Sequence, residues 1–541
     1  MESQAGSWPR AEVRQMAGFT FTPLTPSAYL DRAAWVFRDR TAIVDGERSF
    51  TYAEFADRAH RLAGALLGLG VQPGGRVGAL CVNSHVMLEL HNGVPLAGAV
   101  LVPLNIRLSR DELTYILRHS GAQVLVATAE LADVATDVAA AAGARLVIAG
   151  GAPDEYEALL ASARPAAVPC QDERGLLAIS YTSGTTGRPK GVMYHHRGAY
   201  LQALAAAFHA RLAADSVYLW TLPMFHCDGW CFTWAATAAG ATHLCLRAID
   251  PARIWELLRT RGVTHFSAAP TVLTMIVNAP EATAGPPLAP AAQVQTGGAP
   301  PSPTLIARMA EAGLQVTHLY GLTETYGPVA INDWHPDWNA KPPAEQAVLQ
   351  ARQGVGNVIA ERLRVVGPDG RDVPADGATI GELVCRGNDV MLGYYRDEEA
   401  TAAADLGGWF RTGDLAVMHP DGYAEIRDRA KDIIISGGEN IASVEVERVL
   451  DSHPAVLESA VVGRPDEVWG EAAVAFVTLR PGGRTTPDEL IGHVRGRLAH
   501  FKAPQEVTLV TELPKTSTGK IQKHVLREQA RAQKSGAAGP G

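Results

Sequence analysis

The sequence predicts an α/β protein: a large N-terminal domain of layered α/β subdomains plus a small β-unit, followed by a small mobile α+β C-terminal domain. Three observations predict it. From Thr41 to about Ile148, strand-like runs alternate with Ala/Leu-rich helical stretches. From Gly354 to Tyr423, short strands sit between Gly, Asp and Pro turns. After Arg429 the pattern changes again, to a helix start and a mixed α+β segment. The 541 residues exceed one ordinary core, since domains run to roughly 100–200 residues.

The first stretch includes the runs Arg76–Val82 and Gln123–Ala127 and the helical stretch Ala53–Leu69. That alternation is βαβ logic and implies a parallel sheet covered by helices. The apolar run from Leu176 to Ile179 reads as a buried strand, and it empties into YTSGTTGRPKG, residues 181–191. The runs RLRVV, GELVCRG and YAEIRDR form the expected antiparallel β-unit. A helix is expected to start near Ser443, with Glu445 and Glu447 placed for its N-terminal dipole. The domains are set at 1–429 and 430–541, with residues 532–541 a disordered Gly/Ala-rich tail.

Composition narrows the class. Hydrophobic residues make up 47% and charged residues 19%, as in a globular protein. The net charge of -9 argues against a nucleic-acid-binding surface. The six cysteines form no C-x-x-C pair and read as reduced thiols of a cytoplasmic protein. The N-terminal residues show no apolar core of a secretory signal, and no integral membrane segment is expected.

Chemistry begins at residues 181–191. Glycines let backbone N–H groups converge on an anion, hydroxyls add donors, and Lys190 adds a charge. The familiar nucleotide-hydrolase template does not fit, because Pro189 stands at the second glycine position and Gly191 follows the lysine. Downstream, YGLTET (320–325) offers an aromatic face in Tyr320, a hydroxyl in Thr323 and a carboxylate in Glu324. A lone carboxylate suits Mg²⁺, which shares its shell with waters and phosphates. RTGDLA offers Asp414 as an exposed acceptor for a ribose diol, RDRAKD supplies Arg429 and Lys431, and LPKTSTGKIQK places Lys520 in a Gly/Ser/Thr loop. Taken singly, each has a structural explanation: a helix cap, an Asx turn, an ion pair, a solvated lysine.

The order and spacing of YTSGTTGRPKG, LPMFHCDGW, YGLTET, GWFRTGD, DRAKDIIISGGENI and PKTSTGK resemble the AMP-forming acyl-CoA synthetases of the adenylate-forming superfamily. The resemblance covers roughly residues 25–530. It implies ATP-dependent activation of a carboxylic acid to an acyl-adenylate, release of pyrophosphate, and transfer to the thiol of CoA. The cofactors implied are ATP, Mg²⁺ and coenzyme A. Thr182, Ser183, Gly184, Thr185, Thr186, Gly187 and Lys190 would grip the β- and γ-phosphates. Glu324 and Thr182 would hold the metal. Tyr320 and Gly321, with Gly298 and Ala299, would wall the adenine, and Asp414 and Arg429 would bind the ribose.

Lys520, with Thr323, Glu324 and His226, would form the catalytic set. Lys431 would be the pivot of the small domain, and Gly437 and Gly438 would then face the pantetheine arm. His226, Cys227, Trp230 and Gly297 would line the acyl pocket. Relatives carry Asn where this chain has Asp228, which faces either the pocket or a neighbouring basic group. The favoured substrate is a short- to medium-chain fatty or methylthio-alkanoic acid. Alternatives are an aryl acid of the cinnamate or benzoate kind, and loading of a separate carrier protein's phosphopantetheine. A homodimer stays open.

Overall fold

The computed structural model describes residues 20–182, 188–429, 432–436, 439–466, 469–516 and 520–536. Among these, two large sheets carry the N-terminal part. One runs in the order Arg145–Ala149, Ala122–Thr128, Arg76–Leu80, Val100–Pro103, Leu176–Tyr181, Gly191–His195. Its strands are parallel up to Leu176–Tyr181, and Gly191–His195 then turns back antiparallel. The other runs from Val355–Gly356 through Gly327–Ile331, Leu314–Leu322, Ala292–Thr296, His265–Ala268, Val217–Trp220 and Thr242–Cys245 to Thr41–Asp45 and Arg48–Thr51.

The strand Thr41–Asp45 therefore does not join the sheet built from residues 76–149, as the alternating pattern suggested. It pairs parallel with Thr242–Cys245. Periodicity identifies a strand, but its partner is chosen by tertiary packing, here some 200 residues away.

Helix starts follow local chemistry. Thr51 and Glu54 form a reciprocal capping box ahead of Tyr52–Gly68, and Ser109 and Glu112 do the same for Arg110–Ser120. Each such box satisfies two of the helix's orphan N–H groups. The helix His85–Leu96 is buried along its whole length between the layers.

The antiparallel β-unit is a sheet of Arg364–Val366, Gly381–Cys385, Phe410–Met418 and Ala424–Arg429. The next strand, Ile434–Ser436, belongs to a different sheet, with Glu439–Ile441, Gly470–Leu479, Val456–Asp466 and Glu506–Leu509. The helix expected near Ser443 is Ser443–Asp451. Glu445 lies in its first turn, but Glu447 is turned inward, accepting from Val461 N and pairing with Lys523 at 2.8 Å. The last helix, Lys523–Gly536, extends into the stretch expected to be a disordered tail. Leu526 and Ala530 bury one face of it against the small sheet, which stabilises a polar sequence as helix.

Candidate active site

The phosphate-type loop is the turn of a β-hairpin. Tyr181 and Gly191 are register partners, and Thr182 N donates to Lys190 O at 3.0 Å. Ser183, Gly184, Thr185, Thr186 and Gly187 lie outside the described residues, as do Lys431, Gly437 and Gly438. The Lys190 ammonium sits 3.8 Å from Asp397 and 4.9 Å from the centre of the Tyr394 ring. Both charged groups are substantially exposed, so the pairing is weak.

Tyr394 ties this corner to the next. Its hydroxyl donates to Glu324 Oε1 at 2.7 Å. Glu324 sits in the short turn Thr323–Thr325, which is fixed by Tyr194 OH donating to Thr323 O at 2.5 Å. Among the described residues no group of three or more His, Cys, Asp or Glu side chains gathers around a metal position. A single carboxylate beside a phosphate-type loop is the donor set that Mg²⁺ accepts when nucleotide phosphates and water complete its shell. Glu324 and Thr182 fit that requirement.

Asp414 and Arg429 face each other across antiparallel strands, with Arg429 Nε 3.2 Å from Asp414 Oδ1. The other carboxylate oxygen accepts from Tyr320 OH at 2.6 Å. Asp414 was expected to be exposed; it is only 4% accessible. Burial without a partner would cost several kcal/mol, and here Arg429 and Tyr320 supply the compensation. Burial and the Asp414 charge push the Tyr320 phenol far up, so it stays a donor. Gly298 and Ala299 leave the end of strand Ala292–Thr296, which lies beside the strand carrying Tyr320. Gly321 is required by space: a Cβ there would meet Gly327 O at 1.8 Å.

The acid side is built differently. Cys227, Asp228, Gly229, Trp230 and Cys231 all have φ between 50° and 64°. This is a left-handed helical turn, closed by Cys231 N donating to Cys227 O at 3.3 Å. At about 1–2 kcal/mol for each non-glycine residue held there, the conformation persists only because its surroundings impose it. Trp230 is wedged between two glycines. A Cβ on Gly297 would come 3.2 Å from its ring, and one on Gly327 would come 3.2 Å from its Cα and Cβ. The Cys227 thiol donates to Thr323 Oγ1 at 3.7 Å, which links this turn to Glu324. Asp228 is 0% accessible and faces His91 rather than the pocket.

His226 precedes the turn. Burial, and then the positive charge of Lys520, push its pKa down to about 4, so the ring is neutral at physiological pH. The charge of Lys520, on the small lobe, reaches the His226 ring. Lys520 is held by a tight loop in which Lys515 and Ile521 bridge, and Lys520 N donates to Thr516 Oγ1 at 3.1 Å. Sequence reasoning missed Tyr194, Tyr394 and His91. Nothing in their local motifs marks them, since each acts through a partner remote in sequence.

A layered α/β lobe that holds the Tyr320–Asp414–Arg429 cluster and Glu324, followed by a smaller α+β lobe, defines an adenylate-forming enzyme. The chain belongs to the AMP-binding enzyme family: residues 30–395 match the AMP-binding enzyme domain and residues 445–520 the AMP-binding enzyme C-terminal domain. It is 44% identical to the peroxisomal acetate/butyrate–CoA ligase AAE7 of Arabidopsis thaliana, over 94% of this chain and 95% of that one. It is 42% identical to the 2-methylpropanoate–CoA ligase CCL4 of Humulus lupulus, over 96% and 97%. The crystal structure of the anthranilate CoA ligase AuaEII with anthranoyl-AMP superposes with a TM-score of 0.86 at 25% identity, covering 95% of this chain and 99% of that one. Among the described residues no helix is long and apolar enough to cross a membrane.

Proposed function

We propose that this enzyme joins a short monocarboxylic acid to coenzyme A, forming an acyl-adenylate on the way. The observation that carries the reading is the Tyr320–Asp414–Arg429 cluster, in one domain with Glu324 beside the phosphate-type loop.

A carboxylate is ionised at neutral pH, so attack on the α-phosphorus needs no general base. Its oxygen forms the new P–O bond as the bond to the β-phosphate breaks, and pyrophosphate leaves. Lys520 neutralises the charge developing between carboxylate and α-phosphate. Asp414 and Arg429 hold the ribose hydroxyls, Tyr320 with Gly298 and Ala299 flanks the adenine, and Lys190 with its loop holds the departing phosphates. Glu324 and Thr182 would hold Mg²⁺, which would supply charge neutralisation at the phosphates. Neutral His226 orients the acid without adding a competing cation. The thiol of CoA then loses its proton, attacks the acyl carbonyl carbon and expels AMP. For this second step the small domain pivots at Lys431, and Gly437 and Gly438 admit the pantetheine arm.

The acid is proposed to be short because Trp230, packed on Gly297 and Gly327, closes the acyl side. The names of the relatives, for acetate, butyrate and 2-methylpropanoate, support this. Free thiols at all six cysteines support a reducing compartment, proposed to be the cytoplasm. The test is thioester formation with C2 to C10 acids, methylthiopropionate, benzoate and cinnamate, offered with CoA or with a phosphopantetheinylated carrier protein. A maximum at C2–C6 with CoA is expected. A maximum on an aryl acid, or acylation of the carrier alone, would overturn the substrate or acceptor assignment.

A further inference from the structure

The left-handed turn under Trp230 carries one buried charged side chain. Asp228 Oδ1 lies 3.2 Å from His91 Nε2, with both side chains fully buried. The proton arrangement follows from the other ring nitrogen. His91 Nδ1 is 2.7 Å from Met87 O, and a carbonyl only accepts, so Nδ1 carries a hydrogen. Nε2 is then the atom turned to the carboxyl group, 3.2 Å away. Neither Nε2 nor Oδ1 makes a hydrogen bond among the described residues, so each has the other, at 3.2 Å, as its facing polar group.

The remaining atoms of Asp228 reach two further elements. Ser180 Oγ is 3.4 Å from Oδ2, and Thr233 Oγ1 donates to the Asp228 carbonyl at 3.1 Å. Ser180 is the last residue but one of the strand Leu176–Tyr181, which feeds the phosphate-type loop. Trp234, just beyond the turn, donates from Nε1 to His91 O at 3.2 Å and sets its ring edge-on to the His91 ring. The turn is thus fastened to the buried helix His85–Leu96 at two points, on either side of Trp230.

We propose that the His91–Asp228 pair is a positioning lock for acid selection: it holds Cys227–Cys231 left-handed, and so fixes Trp230 as the wall that limits the acyl chain. Neither residue touches substrate; both act through Trp230. The proposal rests on the reading that the acid lies against Trp230.

The experiment compares kcat/KM for butyrate and octanoate, and the KM for ATP, in the wild-type chain and in W230A, D228L, H91Q and D228N. W230A is expected to raise the octanoate-to-butyrate ratio about tenfold, as for a pocket enlarged by several methylenes. D228L and H91Q are expected to raise the same ratio and the KM for butyrate, leaving the KM for ATP in place. D228N is expected to retain the wild-type ratio, because the isosteric amide keeps the side chain's shape and a polar group facing Nε2. An unchanged ratio in W230A would overturn the acid-site reading and the lock together. A shifted ratio in W230A with none in H91Q and D228L would overturn the lock alone. If D228L does not fold, H91Q decides. Loss of thermal stability with an unchanged ratio counts against the proposal.

Discussion

The seam between the two lobes and the wall behind the acid site are held together by opposite means. At the seam, Glu425 receives Arg448 from the small lobe at 2.7 Å and His419 from its own lobe at 2.9 Å. Asp428 caps the small lobe's first helix by accepting from Ser443 N and Oγ at 2.6 and 2.5 Å. Asn278 accepts from Arg480 at 3.2 Å. Among the described residues, no hydrophobic core cluster includes side chains from both lobes. Behind the acid site, by contrast, Cys227, Trp230, Cys231, Phe232 and Trp234 belong to the largest core. A polar seam exchanges its contacts with water and re-forms elsewhere, which is what a rotating domain requires. A packed core has few arrangements, which is what a selecting surface requires. Motion and selectivity are thus separated into different kinds of contact.

The strongest way to break this comparison is at Lys520, on the small lobe, whose charge reaches His226 ahead of the wall. Lys520→Ala should lower pyrophosphate release about 10²–10³-fold, the scale of removing a preorganised charge. Thioester formation from supplied acyl-adenylate and CoA should be preserved. Equal loss in both half-reactions, measured by rapid quench, would contradict a lysine that serves only the first.

Asp414→Ala comes next. It leaves Arg429 and Tyr320 facing each other without their shared carboxylate. The KM for ATP should rise at least about tenfold, with a stability loss of about 3 kcal/mol. Isothermal titration with ATP and denaturant unfolding check the two parts separately.

At the seam, Glu425→Gln should be milder. Arg448 and Arg427 lose a charge partner but keep the amide oxygen as acceptor, while the amide N–H turns to His419, so the cost should be about 1 kcal/mol. The ratio of the two half-reaction rates should change while the preference among acids does not. A change in acid preference would show that seam and wall are coupled.

The smallest effect concerns His226. Its folded pKa, about 4, lies below the ordinary value of 6.5. Between those values the unfolded chain binds more protons than the folded one, so stability falls as pH drops through that window. His226→Asn should remove its share of that slope, read from denaturation midpoints at pH 7, 6, 5 and 4. Buried His195, His243 and His318 are shifted the same way, so a slope remains.

How much of this was legible in the sequence differs between the two regions. Tyr320, Glu324, Asp414 and Lys520 stand in short motifs whose residue types announce their chemistry. The left-handed wall announces nothing: of its five residues with positive φ only Gly229 is a glycine, so turn chemistry gives no signal. Asp414 was read as exposed because a T-G-D sequence suits a surface turn. Its burial follows from Arg429, fifteen residues on, whose position opposite it only strand register decides. His91 sits in an apolar helix and becomes interpretable only once Asp228 is seen against it.

The central claim is an acyl-adenylate formed before CoA enters. The direct test is exchange of labelled pyrophosphate into ATP by the wild-type chain, with Mg²⁺ and butyrate present and CoA absent. Exchange that depends on the acid is predicted. Exchange that appears only after CoA is added, or nucleotide turnover that yields ADP and phosphate, would contradict it.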